Sequence, residues 1–176
     1  MKIIRLVWGP LGALGVGLLA VSLIMPEARA QALAKPKGPV VLTVSGHITQ
    51  RNTADAAEFD LDMLKALPVH QFATRNPWKS PVMTYAGPAL KTVLNSVGAQ
   101  GQSLRLVALD KYEASVPMSD VERFNPVLAL RVDGKPLTLR TLGPVQMMYP
   151  FDQYPEINIE LYSGRAVWQL QRIVVE

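Results

Sequence analysis

The sequence predicts an α+β domain, a mostly β mixed-sheet core with short helices. Three observations carry this. Short apolar runs, alternating or continuous, recur between turn residues; helical spacing appears only in brief stretches; and neither internal repeats nor low-complexity tracts interrupt the pattern. With 176 residues the chain is long enough for one domain with a real core even after a leader is set aside.

The leader comes first. Lys2 and Arg5 precede an apolar run over residues 6–25, and Ala28-Arg29-Ala30 supplies a small-x-small cleavage pattern. Residues 1–30 are therefore expected to be a cleaved signal peptide, residues 31–39 a flexible lead and residues 40–176 the folded domain. The rival expectation is a retained anchor, because the run approaches bilayer-spanning length. Gly9, Pro10, Gly12, Gly15 and Gly17 weaken it as a lasting helix. Cleavage implies a periplasmic protein with no membrane insertion afterwards. Removing three cations and one anion from the formal charge of +4 leaves a nearly balanced domain. Its basic residues are scattered among carboxylates, so no electrostatic footprint for nucleic acid exists.

Val40, Leu42 and Val44 alternate with Val41, Thr43 and Ser45, predicting a strand that ends at Gly46. Asp60 is a helix cap for Leu61, Leu64 and Leu67, and Pro68 stops that helix. Residues 69–75 read as extended. Gly87-Pro88 is a turn signal, with Pro88 in the first turn of a helix carrying Leu90, Val93, Leu94 and Val97, and Gly98 as terminator. Strands follow over residues 104–109 and 112–117, split by the Asp110-Lys111 turn. Ser119 or Asp120 caps a short helix. Asp133-Gly134 then turns a hairpin joining residues 127–132 to 137–139, and residues 145–149 and 167–175 complete the strands.

Three polar and aromatic clusters sit where this pattern breaks. The first is Thr74-Arg75-Asn76-Pro77-Trp78, where Pro77 holds Asn76 extended. The second is Asp110-Lys111-Tyr112. The third runs from Tyr149 through Asp152 to Glu156. Loops at strand ends are where small-ligand sites form. Flat rings, a guanidinium fork and carboxylates suit a planar, nitrogen-rich ligand: rings stack on it, a carboxylate accepts from its N–H groups, and Arg binds an oxygen or phosphate tail. Trp168 reads as a core or rim aromatic.

Cysteine is absent from the whole chain. That excludes disulfides, a cysteine nucleophile and a thiolate metal ligand. His47 and His70 lack metal-site spacing. No phosphate-cradling glycine motif is present in the domain.

The order of several segments resembles the oxidoreductase molybdopterin-binding domain, the sulfite-oxidase fold. The matching segments are Phe59-Asp60-Leu61 to Leu67-Pro68, Thr74 to Trp78, Tyr85-Ala86-Gly87-Pro88-Ala89-Leu90 and Ala108-Leu109-Asp110-Lys111-Tyr112. Asp133-Gly134-Lys135-Pro136-Leu137, Leu142-Gly143-Pro144 and Tyr149-Pro150 complete the set. In that family a cysteine in the loop corresponding roughly to Thr74–Trp78 ligates molybdenum, and neither Thr74 nor Arg75 replaces a thiolate. The Gly that commonly follows the family's central Asp is Lys111 here.

The chain is more similar still to a cysteine-less, exported subset, through its Tyr-Pro-Phe-Asp and Val-Trp-Gln-Leu segments. That resemblance implies a non-catalytic protein that binds a reduced pterin in the periplasm. It implies as partner the periplasmic domain of an inner-membrane diguanylate cyclase or phosphodiesterase, with control of cyclic di-GMP and biofilm formation. On this expectation Trp78 and Tyr149 flank the ring, Asp110 or Asp152 takes its amino group, Arg75 and Asn76 bind its rim or side chain, and Thr74 and Tyr112 complete the site. Two alternatives are a molybdopterin-dependent oxidoreductase that holds its cofactor through pterin contacts alone, and a partner-binding module without a small ligand.

Overall fold

The computed structural model describes residues 33–76 and 78–176, with the backbone alone for Asn76, Lys79 and Ser80; the expected signal peptide lies outside the described residues. In chain order the elements are β1 (Val40–Gly46), β2 (Ala56–Asp60), α1 (Leu61–Lys65), β3 (Val69–Asn76), β4 (Lys79–Pro88), α2 (Leu90–Ser96), β5 (Ser103–Ala108) and β6 (Glu113–Pro117). Then come α3 (Met118–Phe124), β7 (Val127–Ala129), β8 (Arg131–Val132), β9 (Lys135–Pro136), β10 (Gln146–Met148), α4 (Glu160–Arg165) and β11 (Leu170–Val175). The architecture is the anticipated α+β, strand-dominated with short helices.

Among the described residues, three sheets carry the fold. A mixed five-stranded sheet has the order β2-β1-β11-β5-β6, with β1 and β11 its parallel pair. A four-stranded antiparallel sheet runs β3-β4-β8-β9, and β10 pairs with β7. The alternation in β1 buries Leu42 and Val44, and β5 adds Leu104 and Leu106 to the same core. Among the described residues no helix is long and apolar enough to cross a membrane.

Several local expectations are met. Asp60 caps α1 through Met63 N–H at 2.8 Å, and Gly98 adopts a left-handed φ of +59° just beyond α2. Asp133 and Gly134 both take positive φ, the geometry of a tight hairpin turn. Other details differ. Pro88 ends β4 instead of opening α2, whose cap is Ala89 with no side-chain bond. Leu90 N–H donates instead to Pro126 O at 2.8 Å. Neither Ser119 nor Asp120 caps α3, since Pro117 holds that position and Asp120 is buried.

The lead is fastened where the structure describes it. The second oxygen of Asp60 accepts the N–H groups of Lys37 and Gly38 at 2.7 and 2.9 Å, and Asn52 donates to Ala34 O at 2.7 Å. The Met63 N–H first, and then those of Gly38 and Lys37, hold the Asp60 carboxyl below the usual carboxylate range. Leu33 packs on the core. Residues 33–39 are thus tied down, which departs from the flexible lead the composition suggests.

A buried polar network fixes α4. Asp120 Oδ2 accepts from the Tyr149 hydroxyl at 3.0 Å and from Arg165 Nη1 at 2.8 Å, while Arg165 Nε donates to Ser115 O at 3.0 Å. The Phe124, Tyr149 and Tyr162 rings meet edge to face beside it. Burial first, and then the Asp120 carboxylate, push the Tyr149 phenol well above its ordinary pKa.

Two predictions follow from packing. A Cβ at Gly87 would lie 2.0 Å from Leu128 O, a backbone atom, so Gly87→Ala is expected to lower stability by about 2 kcal/mol or more in chemical denaturation. For Tyr149 the sign is set by a folded pKa above the unfolded value of about 10: its contribution is complete below that pH and fades as pH rises beyond it. Tyr149→Phe should cost about 1.5–3 kcal/mol at neutral pH, and the gap to wild type should shrink in alkaline melts; a gap constant with pH would contradict this.

Candidate functional site

The site grows from two indoles. The backbone around Trp168 is clamped on both sides: Val167 O accepts Met147 N–H at 2.8 Å, and Gln169, at a left-handed φ of +49°, donates its N–H to Leu142 O at 2.9 Å. The Gln169 side-chain amide donates to Leu139 O at 2.8 Å, and the Gln169 backbone carbonyl accepts from Leu109 N–H at 3.0 Å. Trp78 meets Trp168 edge-on, with ring centroids 5.0 Å apart and planes at 66°. This forms an aromatic corner, and both indoles line two neighbouring clefts.

The larger cleft has a volume of about 630 Å³. Its apolar lining includes Met83, Tyr85 and Leu142, and its rim carries Lys135, Arg140 and Asp133. Gln146 also lines it. That side chain is buried, and its amide nitrogen has no hydrogen-bond partner among the described residues. A buried donor left unpaired costs about 1–3 kcal/mol, so a ligand acceptor reaching it would relieve a standing penalty. The signal was visible in the sequence as a lone amide within the apolar run 145–148, yet sequence reasoning passed over it.

The smaller cleft, about 310 Å³, is lined by both indoles, Tyr112, Asp110, Glu160 and the 163–167 backbone. Asp110 Oδ1 accepts Tyr112 N–H at 3.0 Å, and Lys111 at φ +74° completes that turn. The Tyr112 hydroxyl donates to Gly164 O at 2.8 Å.

The expected site residues thus separate into three places. Trp78, Asp110 and Tyr112 converge on the indole corner. Thr74, Arg75 and Asp152 form a latch between β3 and the loop after β10. Asp152 N–H donates to Thr74 Oγ1 at 3.0 Å, Arg75 N–H donates to Asp152 Oδ2 at 2.9 Å, and the Arg75 Nε lies 3.3 Å from Asp152 Oδ1. This exposed ion pair is worth little by itself. The side chain of Asn76 lies outside the described residues. Tyr149 requires correction: it is fully buried and bonded to Asp120, so it has no open face to flank a ring, and Trp168 provides the second aromatic surface.

As a metal site the same loop is poor. The chain has no cysteine, Thr74 is fully buried, and its hydroxyl donates to Arg75 O at 3.1 Å while accepting from Asp152. His70 Nε2 lies 3.1 Å from Asn125 O. Among the described residues no group of three or more His, Cys, Asp or Glu is placed to hold a metal ion.

Comparison with known proteins agrees with this picture of the fold. The model of the oxidoreductase molybdopterin binding domain matches residues 41–152. No curated protein matches the chain significantly. Among solved structures, the sulfane dehydrogenase SoxCD from Paracoccus pantotrophus superposes with a TM-score of 0.59 at 17% identity, covering 76% of this chain and 37% of that one. The chain therefore spans little more than a third of that protein's length, and the likeness shows the fold. The family model covers well over half of the sequence, and the chain belongs to the oxidoreductase molybdopterin binding domain family, with its sulfite-oxidase-like fold.

Proposed function

We propose that this protein is a non-catalytic receptor for a reduced pterin, held in the larger cleft. The observation that carries the reading is the unpaired, buried Gln146 amide beside the Trp78–Trp168 corner. A pterin is flat, so an indole can stack on it. It is rich in acceptors, so Gln146, once its buried amide turns into the cleft, can donate to a ring nitrogen or carbonyl, and the Lys135 and Arg140 rim suits a polar or anionic substituent.

The organic part of the family's cofactor fits these residues, whereas a molybdenum centre anchored by a protein thiolate does not, because the donor is missing and Thr74 is committed elsewhere. Recognition without oxo-transfer is the function this supports. Export to the periplasm, and relay of ligand state to a membrane-bound diguanylate cyclase or phosphodiesterase that controls biofilm formation, complete the proposal. They rest on the leader-like first thirty residues and on resemblance to the cysteine-less subset.

Anaerobic calorimetric titration with tetrahydrobiopterin should give micromolar affinity, about 8 kcal/mol. Gln146→Leu and Trp168→Ala should each weaken it by about 10-fold. Absence of binding to the wild type, or stoichiometric molybdenum with oxidoreductase turnover in protein from its native host, overturns the reading. For the relay, deletion of the gene should shift cellular cyclic di-GMP, and a pterin-blind variant should reproduce that shift.

A further inference from the structure

The two clefts that share the indole corner differ in charge. The larger carries Lys135 and Arg140 against one carboxylate, Asp133. The smaller carries two carboxylates, Asp110 and Glu160, and no cation among the described residues that line it. Three aromatic residues line it: Trp78 and Trp168, whose planes meet at 66°, and Tyr112, whose hydroxyl donates to Gly164 O at 2.8 Å.

Trp78 and Tyr112 are 43% and 48% exposed, a large apolar area to leave facing water around a concavity of about 310 Å³. Aromatic rings and carboxylates sharing one lining attract a positively charged group and repel an anion. Neutral apolar ligands would gain nothing from Asp110 or Glu160. Anions would face both.

From this juxtaposition we propose that the smaller cleft is a separate binding site for an organic ammonium cation. The ammonium sits against the Trp78, Trp168 and Tyr112 rings, and Glu160 and Asp110 neutralise it from the rim. The ring hydrogen bond to Gly164 fixes Tyr112 at the cost of little freedom, so the cage is set before the cation arrives. This site stands apart from pterin recognition, because it uses the other side of the corner and the opposite charge.

The test is calorimetric titration of the domain with choline and, separately, with spermidine, at constant ionic strength against sodium chloride. Saturable binding of at least one at millimolar concentration or below is expected, with no response to sodium chloride. Choline alone identifies a quaternary head held by the rings, and spermidine alone a primary amine that donates to the carboxylates. Tyr112→Ala and Glu160→Gln should each weaken binding by about 3-fold to 5-fold while thermal melts stay close to wild type. If neither cation saturates, or if both variants bind as wild type does, the proposal is overturned. Tetrahydrobiopterin titrated into the same samples keeps that failure distinct from a failure of pterin binding.

Discussion

The Asp120–Arg165 ion pair, with the Tyr149 hydroxyl as its third member, is the constraint on which the site depends. Two charges taken out of water return little net stability by themselves. Their importance is that neither can be left alone: exposing or stranding one costs several kcal/mol. Arg165 closes α4 and also bonds to Ser115 in the middle of β6, so the pair fixes where α4 lies on the mixed sheet. The chain then enters the Ala166–Gln169 turn from a set direction. Both clefts inherit their shape from that turn, because it presents Trp168.

A second tie works from the other end of the site. Thr74, fully buried at the end of β3, accepts from Asp152, and Asp152 holds the Arg75 backbone. These side chains are spent on closing one loop against another. The sheets need only apolar alternation, whereas a site needs particular atoms.

Much of the fold was legible from the sequence. The alternation of β1, the Asp60 cap, Gly98 and the Asp133-Gly134 turn each have one dominant local cause, and the structure bears them out. Strand β4 was missed because Gly87-Pro88 reads as a turn signal leading into a helix. Gly87 is required there by the approach of the Leu128 carbonyl, a contact far away in sequence. Helix α4 escaped for a similar reason: it is six residues long, contains Gly164 and has no capping side chain, so its support is tertiary. Trp78, Asp110 and Tyr112, singled out from composition at strand ends, line the smaller cleft, and of the three only Trp78 also lines the larger one. Tyr149 was misread because an aromatic beside Pro150 resembles a loop platform, whereas its hydroxyl satisfies a buried carboxylate. Gln146 was passed over and Trp168 was read as a core or rim aromatic, because each sits in an apolar run, where a lone polar or large ring reads as packing.

The indole corner has an optical consequence. Two of the chain's three tryptophans lie with centroids 5.0 Å apart and planes inclined at 66°, close enough for their excited states to mix and far enough from parallel for the mixture to be chiral. Circular dichroism in the indole bands should therefore carry a paired positive and negative signature that reports the angle between the rings. The domain has a native goniometer at the boundary of its two clefts, readable without any label.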